Sequence, residues 1–400
     1  MFNEYTIKDV IEEVIDYRGK TPKKLGGDWS EEKTEYMALS AKNIKKGRIV
    51  QPDTIRYVDQ EMYNKWMKQE VERGTILITS EAPFGELLYW DSDEKIVLSQ
   101  RLFGLKIKKE FNSRYIYYYM FSEQFQGELS GRATGSTVTG LRQPELLKCH
   151  LKVPNRKYQD IIANILMNID KKIDLNSEIN NNLFNLVLND FNDFLDKNID
   201  AEIVKLEDCV EKINTGADAI QRAPIVDYDT GIRCIRIGDM TNGRDYHSWG
   251  FTKMTDKDFE NYKLIRNDIV ITRTAVNGLT YMITDEENTV CNNGNIRLRV
   301  NKKYNPLYIY LNTKTNDFRN YIDRINGETS VRPNMKVEYF TNYEIKKIDL
   351  EKQNAFCLRA ESIMKKIQNN KVENYNLEQL RDTLLPKLMN GEIDLDNIEI

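Results

Sequence analysis

The chain has 400 residues, of which 40% are hydrophobic and 30% charged, and its formal net charge is −4 at pH 7. This length exceeds what one ordinary core can organise, so two or three domains are expected, and the composition excludes a disordered chain. The negative charge argues against a protein that coats nucleic acid through a uniformly basic surface, although it permits a focal DNA-reading face.

The sequence offers little material for a metal site, a cofactor site or a membrane anchor. Its five cysteines lie far apart without a CxxC pair, and there are only two histidines. We therefore expect a reduced chain that binds neither metal nor cofactor. The beginning of the chain lacks an export signal, and no run of eighteen apolar residues occurs, so a cytoplasmic location is predicted.

Short strands separated by polar turns make up the first predicted domain. Residues 36–43 form a strand pattern, and residues 73–79 form a polar turn that feeds a buried apolar strand. A further strand at 105–108 precedes the start of a helix at 111–117. The Gly-Ser/Thr loop at 134–137 then leads through another strand into a long helical segment.

That helical segment, from about Lys157 to Asn198, has a seven-residue apolar period typical of a coiled coil. Asn176 falls in the seam, where a buried asparagine can fix the register; equally, it can face solvent where the apolar rows break. Two adjacent rows are predicted, one of Ile162, Ile169 and Leu183, the other of Ile165, Ile173, Leu186 and Phe194.

The same elements recur in the second half of the chain. The register of the repeat drifts from 197 to 193 residues and settles at 194. Glycines Gly85 and Gly278 follow the clearest match at the same spacing. Two copies of one mixed α/β domain are therefore predicted. The matched segments are 36–43 with 233–240, 73–79 with 266–272, 105–108 with 298–301, and 111–117 with 304–310.

A second long helix closes the chain, with Phe356, Ile363 and Leu377 on the row seen 194 residues earlier, Leu384 extending it, and Asn370 matching Asn176. Antiparallel pairing of the two helices would hold the duplicated domains apart with near two-fold symmetry. Pro386 is expected to kink or end this helix, and Gly391 to terminate it. The predicted division is a first α/β domain at 1–155, a central helix at 156–198, a second α/β domain at 199–350, and a distal helix with its tail at 351–400.

This order of elements resembles the specificity subunits of type I restriction-modification enzymes. The segment 380–393, Leu-Arg-Asp-Thr-Leu-Leu-Pro-Lys-Leu-Met-Asn-Gly-Glu-Ile, is very similar to the distal helix ending of that family. The Gly135-Ser-Thr137 loop with Pro154 before a helix near Gln159, and the segments 19–22 and 231–239, also look like family segments. The resemblance covers essentially the whole chain.

The resemblance implies a non-catalytic subunit with two target recognition domains, each reading one half of a split double-stranded DNA sequence. It implies that the two helices set the gap between the halves. The helix lengths predict half-sites about one helical turn apart, some 34–36 Å, if both major grooves face one side. The resemblance also implies that the helices bind two adenine methyltransferase subunits, which restriction subunits join. The central helix lacks the proline-lysine ending of its distal twin, which puts equal contacts to both methyltransferases in doubt. The alternative function is a coiled-coil scaffold that organises partner proteins without reading DNA.

Direct reading of DNA requires Arg, Lys, Asn or Gln on loops that enter the major groove, and small hydroxyl or glycine residues suit phosphate contacts. Loops at the matched strand ends are the places to look, although any single residue there can equally be a solvated turn former. The predicted DNA-binding residues are Arg18, Lys20, Thr21, Ser80, Gln100, Arg101, Arg132, Thr134, Gly135, Ser136 and Thr137 in the first domain, and Gln221, Arg222, Arg273, Asn277, Asn292, Asn293, Asn295 and Arg332 in the second.

Other candidate motifs favour structure over chemistry. The tyrosines at 115–119 follow helical spacing, which indicates core packing more than base stacking. Asn305-Pro-Leu-Tyr308 lacks the second proline of the adenine methyltransferase motif, and its proline suits a helix start. Gly19-Lys20-Thr21 resembles the end of a P-loop, but Val14 stands where that motif needs glycine. No catalytic residue is predicted.

Overall fold

The computed structural model describes residues 2–134, 140–284, 288–328 and 334–396. The chain divides into two compact units. The first unit comprises Met1–Lys172 together with Asn376–Ile400, and the second comprises Ile173–Tyr375. Each unit therefore combines one copy of the duplicated α/β domain with parts of both long helices.

The first unit begins as a run of short strands and ends in the first long helix. Its strands are β1 (Asn3–Thr6), β2 (Ile11–Asp16), β3 (Tyr36–Leu39), β4 (Ile44–Lys45), β5 (Arg48–Ile49), β6 (Arg56–Val58), β7 (Ile76–Thr79), β8 (Leu87–Tyr89), β9 (Ile96–Leu98), β10 (Leu102–Ile107) and β11 (His150–Val153). Its helices are α1 (Ile7–Val10), α2 (Gln60–Trp66), α3 (Ser113–Tyr119), α4 (Glu123–Gly131), α5 (Gln143–Leu146) and the start of α6 (Arg156–Asp196).

The central sheet of the first unit is antiparallel, with strand order β2-β10-β7-β8. A second sheet has the order β6-β3-β9, in which β9 runs parallel to β3. Successive residues of β7 pack into different cores: Ile76 and Ile78 into one, Leu77 into the other. The strand is therefore buried on both faces, as its unbroken apolar run indicates. The tyrosines of α3 lie in the first of these cores, which confirms their predicted packing role.

The second unit repeats this pattern and ends in the second long helix. Its strands are β12 (Ile203–Lys205), β13 (Val210–Thr215), β14 (Ile225–Val226), β15 (Arg233–Ile235), β16 (Phe251–Thr252), β17 (Ile269–Thr272), β18 (Thr280–Met282), β19 (Thr289–Cys291), β20 (Asn295–Val300) and β21 (Glu344–Lys346). Its helices are the end of α6, then α7 (Ile237–Thr241), α8 (Asp256–Tyr262), α9 (Pro306–Asn312), α10 (Asn316–Glu328), α11 (Val337–Thr341) and the first part of α12 (Leu350–Met389), which ends in the first unit.

The central sheet of the second unit has the same strand order as that of the first, and its second sheet contains the equivalent three strands. The central order is β13-β20-β17-β18, and β19 runs parallel to β15 as β9 runs parallel to β3. Strand β17 begins at Ile269 and strand β7 begins at Ile76, and these two residues are 193 positions apart, as the repeat predicts. The internal repeat read from the sequence is thus confirmed and extends to strand order. The strand β14 adds an edge to the second sheet of this unit.

The long helices α6 and α12 run antiparallel where they pair. In the second unit, Phe194 stacks on Phe356 with ring centroids 4.9 Å apart, while Asn180, nearer the start of α6, meets Asn370 further along α12. In the first unit, Arg381 pairs with Asp170 at 2.9 Å. The long helix pair is therefore confirmed. The placement of Leu186 in a buried row is wrong, because Leu186 is 49% exposed and Val187 occupies the seam instead.

Asparagines lie inside this seam. Asn176 and Asn370 are each only 2% exposed, so the solvent-facing alternative is wrong. The Asn176 side-chain amide donates to Asn374 Oδ1 at 2.9 Å, and that of Asn370 donates to Asn180 Oδ1 at 2.8 Å. Because Asn370 and Asn374 lie 194 residues after Asn176 and Asn180, the two hydrogen bonds are equivalent under the repeat.

The distal helix continues through its proline. Pro386 lies inside α12, which ends three residues later at Met389, so the expected stop falls slightly beyond the proline. Gly391 has φ +73, a left-handed conformation that favours glycine, and terminates the helix as predicted. Among the described residues, no helix has the length and apolar character needed to cross a membrane.

Candidate nucleic-acid interface

In the first unit, three loops at the strand ends meet at Leu141. The Arg18 guanidinium donates to the carbonyl oxygen of Leu141 at 3.2 Å, stacks 3.8 Å from the centre of the Phe103 ring, and pairs with Asp16 at 2.9 Å. The backbone N–H of Leu141 donates to the carbonyl of Ser80 at 2.9 Å. The structure therefore brings Arg18 and Ser80 together, but their polar groups are used inside the unit.

Arg101 and Gln100 occupy a more open position beside this junction. Arg101 has φ +69 and pairs with Glu81 at 2.9 Å, yet its side chain remains 47% exposed. Gln100 is exposed. Both residues line a cleft of about 300 Å³ in the first unit. These two side chains have the freedom that a base-reading role requires.

Two further cations line the same cleft, and sequence reasoning missed both. Lys42 and Arg56 are exposed, and the Arg56 guanidinium lies 5.3 Å from the ring of Trp29. The cleft therefore concentrates positive charge in a chain whose net charge is negative. Lys42 lies within the matched segment 36–43, just after β3, and this position was a usable signal. Arg56 lies on the short strand β6, which no clear sequence pattern marks.

The remaining predicted residues of the first unit have structural partners. Lys20 Nζ donates to the carbonyl of Trp66 at 2.7 Å, and burial lowers the pKa of Lys20. The hydroxyl of Thr21 accepts the backbone N–H of Lys24 at 3.3 Å. Ser80 is buried, with 3% exposure.

Arg132 and Thr134 lie near the predicted Gly-Ser/Thr loop. Arg132 pairs with Glu128 at 2.7 Å, and that hydrogen bond raises the pKa of the arginine. Thr134 forms a backbone bridge with Gly140. The three loop residues Gly135, Ser136 and Thr137 lie outside the described residues.

In the second unit, the loop after β13 meets the turn between β19 and β20. Asp218 organises this junction: its carboxylate accepts the backbone N–H groups of Ile220 at 2.9 Å and Gln221 at 2.7 Å. It also accepts the side-chain amide of Asn293 at 3.4 Å. The hydrogen bond from Gln221 is the main reason why the pKa of Asp218 is lowered. The exposed residues Gln221 and Asn293 are thus held side by side.

Other predicted residues of this unit lie deeper or elsewhere. Asn295 is fully buried, and its amide donates to the Ile235 carbonyl and to Asn292 Oδ1. Arg222 donates to the Tyr262 hydroxyl at 2.6 Å. Asn277 donates to Asn326 of α10 at 2.8 Å, away from the Asp218 junction. Arg332 lies outside the described residues.

Arg273 plays the role in the second unit that Arg18 plays in the first. Its Nε donates to the carbonyl of Met335 at 2.9 Å, and Met335 lies 194 residues after Leu141. The Met335 N–H donates back to the Arg273 carbonyl at 2.8 Å. Burial lowers the pKa of Arg273. In each unit, therefore, an arginine from a different loop donates to the equivalent backbone carbonyl, that of Leu141 or Met335. No local sequence pattern signals this long-range contact.

Among the described residues, no group of His, Cys, Asp and Glu side chains is arranged to hold a metal ion. All five cysteines are buried and unpaired. Burial raises the pKa of the Cys149, Cys234 and Cys357 thiols to about 12. Such thiols are unreactive at neutral pH.

The relationship of the chain to known proteins follows from its sequence. Residues 2–185 match the family model of the Type I restriction modification DNA specificity domain. The first half of the chain therefore matches a type I restriction modification DNA specificity domain, and most of the chain is similar to a type I specificity subunit. This confirms the resemblance seen in its motifs, and with it the prediction of a non-catalytic subunit, because the curated relatives are specificity subunits.

Two relatives in this family come from Methanocaldococcus jannaschii. The MjaIX specificity subunit is 25% identical over 365 residues, which cover 82% of this chain and 79% of that protein. The MjaVIII specificity subunit is 27% identical over 138 residues, 33% of this chain. That second match spans only 32% of the length of the relative.

A solved structure shows the same fold. The S subunit of a type I restriction-modification system from M. genitalium superposes with a TM-score of 0.57 at 16% identity, covering 97% of this chain and 96% of that one. The mixed α/β architecture with a long helix pair is therefore confirmed.

Proposed function

We propose that the chain is the sequence-specific DNA-recognition subunit of a type I restriction-modification complex and that each unit reads one half of a two-part target with a fixed spacer. The observation that carries this proposal is the placement of Gln100 and Asn293. These exposed amides lie 193 residues apart, at equivalent strand ends of two duplicated units. Equivalent polar groups at equivalent sites suit a protein that reads DNA twice.

The chemistry of each site supports base reading. Arginine forms bidentate hydrogen bonds with guanine, and glutamine or asparagine forms them with adenine. The first unit offers Arg101 with Gln100, next to Lys42 and Arg56, which suit phosphate contacts. The second unit offers Gln221 and Asn293. The units therefore present different reading groups, as a target with two different halves requires.

Docking of two adenine methyltransferase subunits, and of restriction subunits through them, is the second part of the proposal. Leu186 of α6 is 49% exposed and Leu380 of α12 is 46% exposed, and they lie 194 residues apart. An exposed leucine at the same place on each helix suits a partner that binds twice. The distal helix carries Pro386 where the central helix has Asn192, so the two contacts differ in detail.

The deciding experiment is single-molecule mapping of adenine methylation in cells that co-express the chain with a partner adenine methyltransferase. We expect a split motif with a fixed gap that appears only when the chain is present. Replacing residues 1–155 with those of a relative should change one half of the motif only. No chain-dependent methylation, despite a stable complex with the methyltransferase, would instead support the scaffold function.

A single substitution sharpens this test. Arg101 has a left-handed φ of +69, a conformation that glycine adopts readily, so Arg101→Gly should preserve the backbone. We expect it to relax recognition in the first half of the motif. The matched control is Asn267→Gly, since Asn267 has φ +72 and corresponds to Gly74 of the first unit. The control should leave the motif unchanged.

A further inference from the structure

One isoleucine of the second unit is unusually open to solvent. Ile220 is 83% exposed, a larger fraction than any other exposed large hydrophobic side chain among the described residues. It lies in the loop after β13, next to Gln221. A large aliphatic side chain gains about 1.5–3 kcal/mol when it is fully removed from water, so this position favours an apolar partner.

The loop that carries Ile220 is fixed at both ends. The Asp218 carboxylate accepts its backbone N–H at 2.9 Å, and the Asp218 carbonyl accepts the N–H of Ala223 at 2.7 Å. Ala217 and Ala223, on either side of the tip, are both fully buried. The isoleucine is therefore displayed on an ordered backbone, which lowers the entropic cost of binding.

The backbone just before this loop lies very close to the turn after β19, and glycine at position 216 makes this approach possible. A Cβ at Gly216 would lie 2.2 Å from the carbonyl oxygen of Cys291. The backbone N–H of Ala217 donates to that same carbonyl at 2.8 Å, and the N–H of Asn293 donates to the Ala217 carbonyl at 2.8 Å. The tip is thus joined directly to the strand end that carries Asn293.

The immediate neighbours of Ile220 are amides that suit adenine. Gln221 follows Ile220 in the chain. The backbone N–H of Gln221 and the side-chain amide of Asn293 both donate to the Asp218 carboxylate. In the major groove, an adenine·thymine pair presents hydrogen-bonding groups on adenine and an apolar 5-methyl group on thymine. An amide side chain can hydrogen-bond to the adenine, and an exposed isoleucine beside it can contact the thymine methyl group.

The repeat places a related side chain at the same point of the first unit. Ile15 of β2 pairs opposite Gly104, and Asn214 of β13 pairs opposite Arg297, 193 residues after Gly104. From this register, Ile220 corresponds to Thr21, another β-branched residue with a methyl group.

We propose that Ile220 contacts the 5-methyl group of a thymine in the half-site read by the second unit. This inference rests on the proposed function, because it requires that the second unit enters the major groove. It makes Ile220 a specificity residue and assigns at least one adenine·thymine pair to that half-site.

The test replaces single thymines by uracil, which lacks only the 5-methyl group. The full chain in complex with its methyltransferase is titrated with duplexes that carry the mapped motif and one uracil at a time in the second half-site. We expect one replacement to weaken binding by the unaltered chain about fourfold, the factor for one methyl-sized group. The Ile220→Ala complex should bind the thymine and uracil duplexes equally.

The control is Ile199→Ala, since Ile199 is 72% exposed but lies between α6 and β12. It should keep the full response to uracil. If Ile220→Ala responds to every uracil duplex as the unaltered chain does, or if the second half-site contains no thymine contact, the inference is overturned. Absence of any chain-dependent motif would instead refute the proposed function itself, so the two failures are distinguishable.

Discussion

At the scale of single residues, Lys314 shows how the duplicated units have diverged. It corresponds to Phe121 of the first unit, whose ring packs edge-on against Tyr117 with centroids 5.1 Å apart. Lys314 lies 5.0 Å from the ring of Tyr310, the equivalent of Tyr117, and donates to the carbonyl of Thr280 at 2.6 Å. Burial, and secondarily the nearby charge of Lys371, lowers its pKa to about 8.

This lowered pKa makes stability depend on pH. Between about pH 8 and the ordinary value of 10.5, the unfolded chain binds the Lys314 proton more tightly than the folded chain does. The free energy of unfolding should therefore rise with pH across this window. We expect Lys314→Phe to remove that rise and to stabilise the protein at pH 7 by up to about 3 kcal/mol. Urea unfolding at pH 7 and pH 9.5 measures both effects; the exposed Lys302→Phe serves as control, and an unchanged pH response in the Lys314 variant would contradict the expectation.

Sequence reasoning located the loops of the candidate site but not the depth of each residue. Ser80 and Asn295 do lie at strand ends, yet both are buried. Arg18 and Arg273 are engaged by carbonyls 123 and 62 residues away along the chain. Hydrogen bonds across such separations depend on tertiary packing, which a local pattern of residue types does not record.

At the scale of elements, the long helices were predictable but their phase was not. The seven-residue period indicated where each helix lies, whereas the polar run after Asn176 hid which side of α6 faces its partner. Leu186 was misplaced for that reason, because the seam passes through Asn180 to Val187. Only the contacts with α12 show that asparagines occupy seam positions.

The paired asparagines should show strong coupling. Asn370→Leu leaves the side chain of Asn180, which is 8% exposed, without its hydrogen-bond donor, and we expect it to lower the free energy of unfolding by about 1–3 kcal/mol. The double variant Asn180→Leu with Asn370→Leu should recover most of that loss, because two leucines pack in the seam without a stranded polar group. Urea unfolding of the double-mutant cycle measures the coupling, and the equivalent pair Asn176 and Asn374 is the matched comparison. Additive losses would contradict it.

At the scale of the whole molecule, the duplication was readable because four identities in seven residues around the central strand survive between the copies. The strand order was not readable, since strands of two to six residues carry no pairing information of their own. The sequence also did not indicate that each unit takes parts of both helices, because helix periodicity is the same along its whole length.

The exposed leucines predict the stoichiometry of the complex. Leu186→Glu and Leu380→Glu should each remove one of two bound methyltransferase subunits, because a carboxylate replaces an apolar contact at one docking position. The double variant should bind no methyltransferase subunit. Native mass spectrometry of co-expressed complexes counts the subunits. Leu358→Glu is the control, since Leu358 is 70% exposed but corresponds to Asn164 on the other helix. Two bound subunits in every variant would contradict the docking proposal.

The core of the first unit contains Leu388, Met389 and Leu395, which pack with residues from the opening strands. A ribosome makes the chain in one direction, so these three side chains emerge about two hundred residues after the rest of that core is available. The core of the first unit therefore stays incomplete until the second unit has been synthesised. Premature termination anywhere before residue 388 would damage the part of the protein that was translated first.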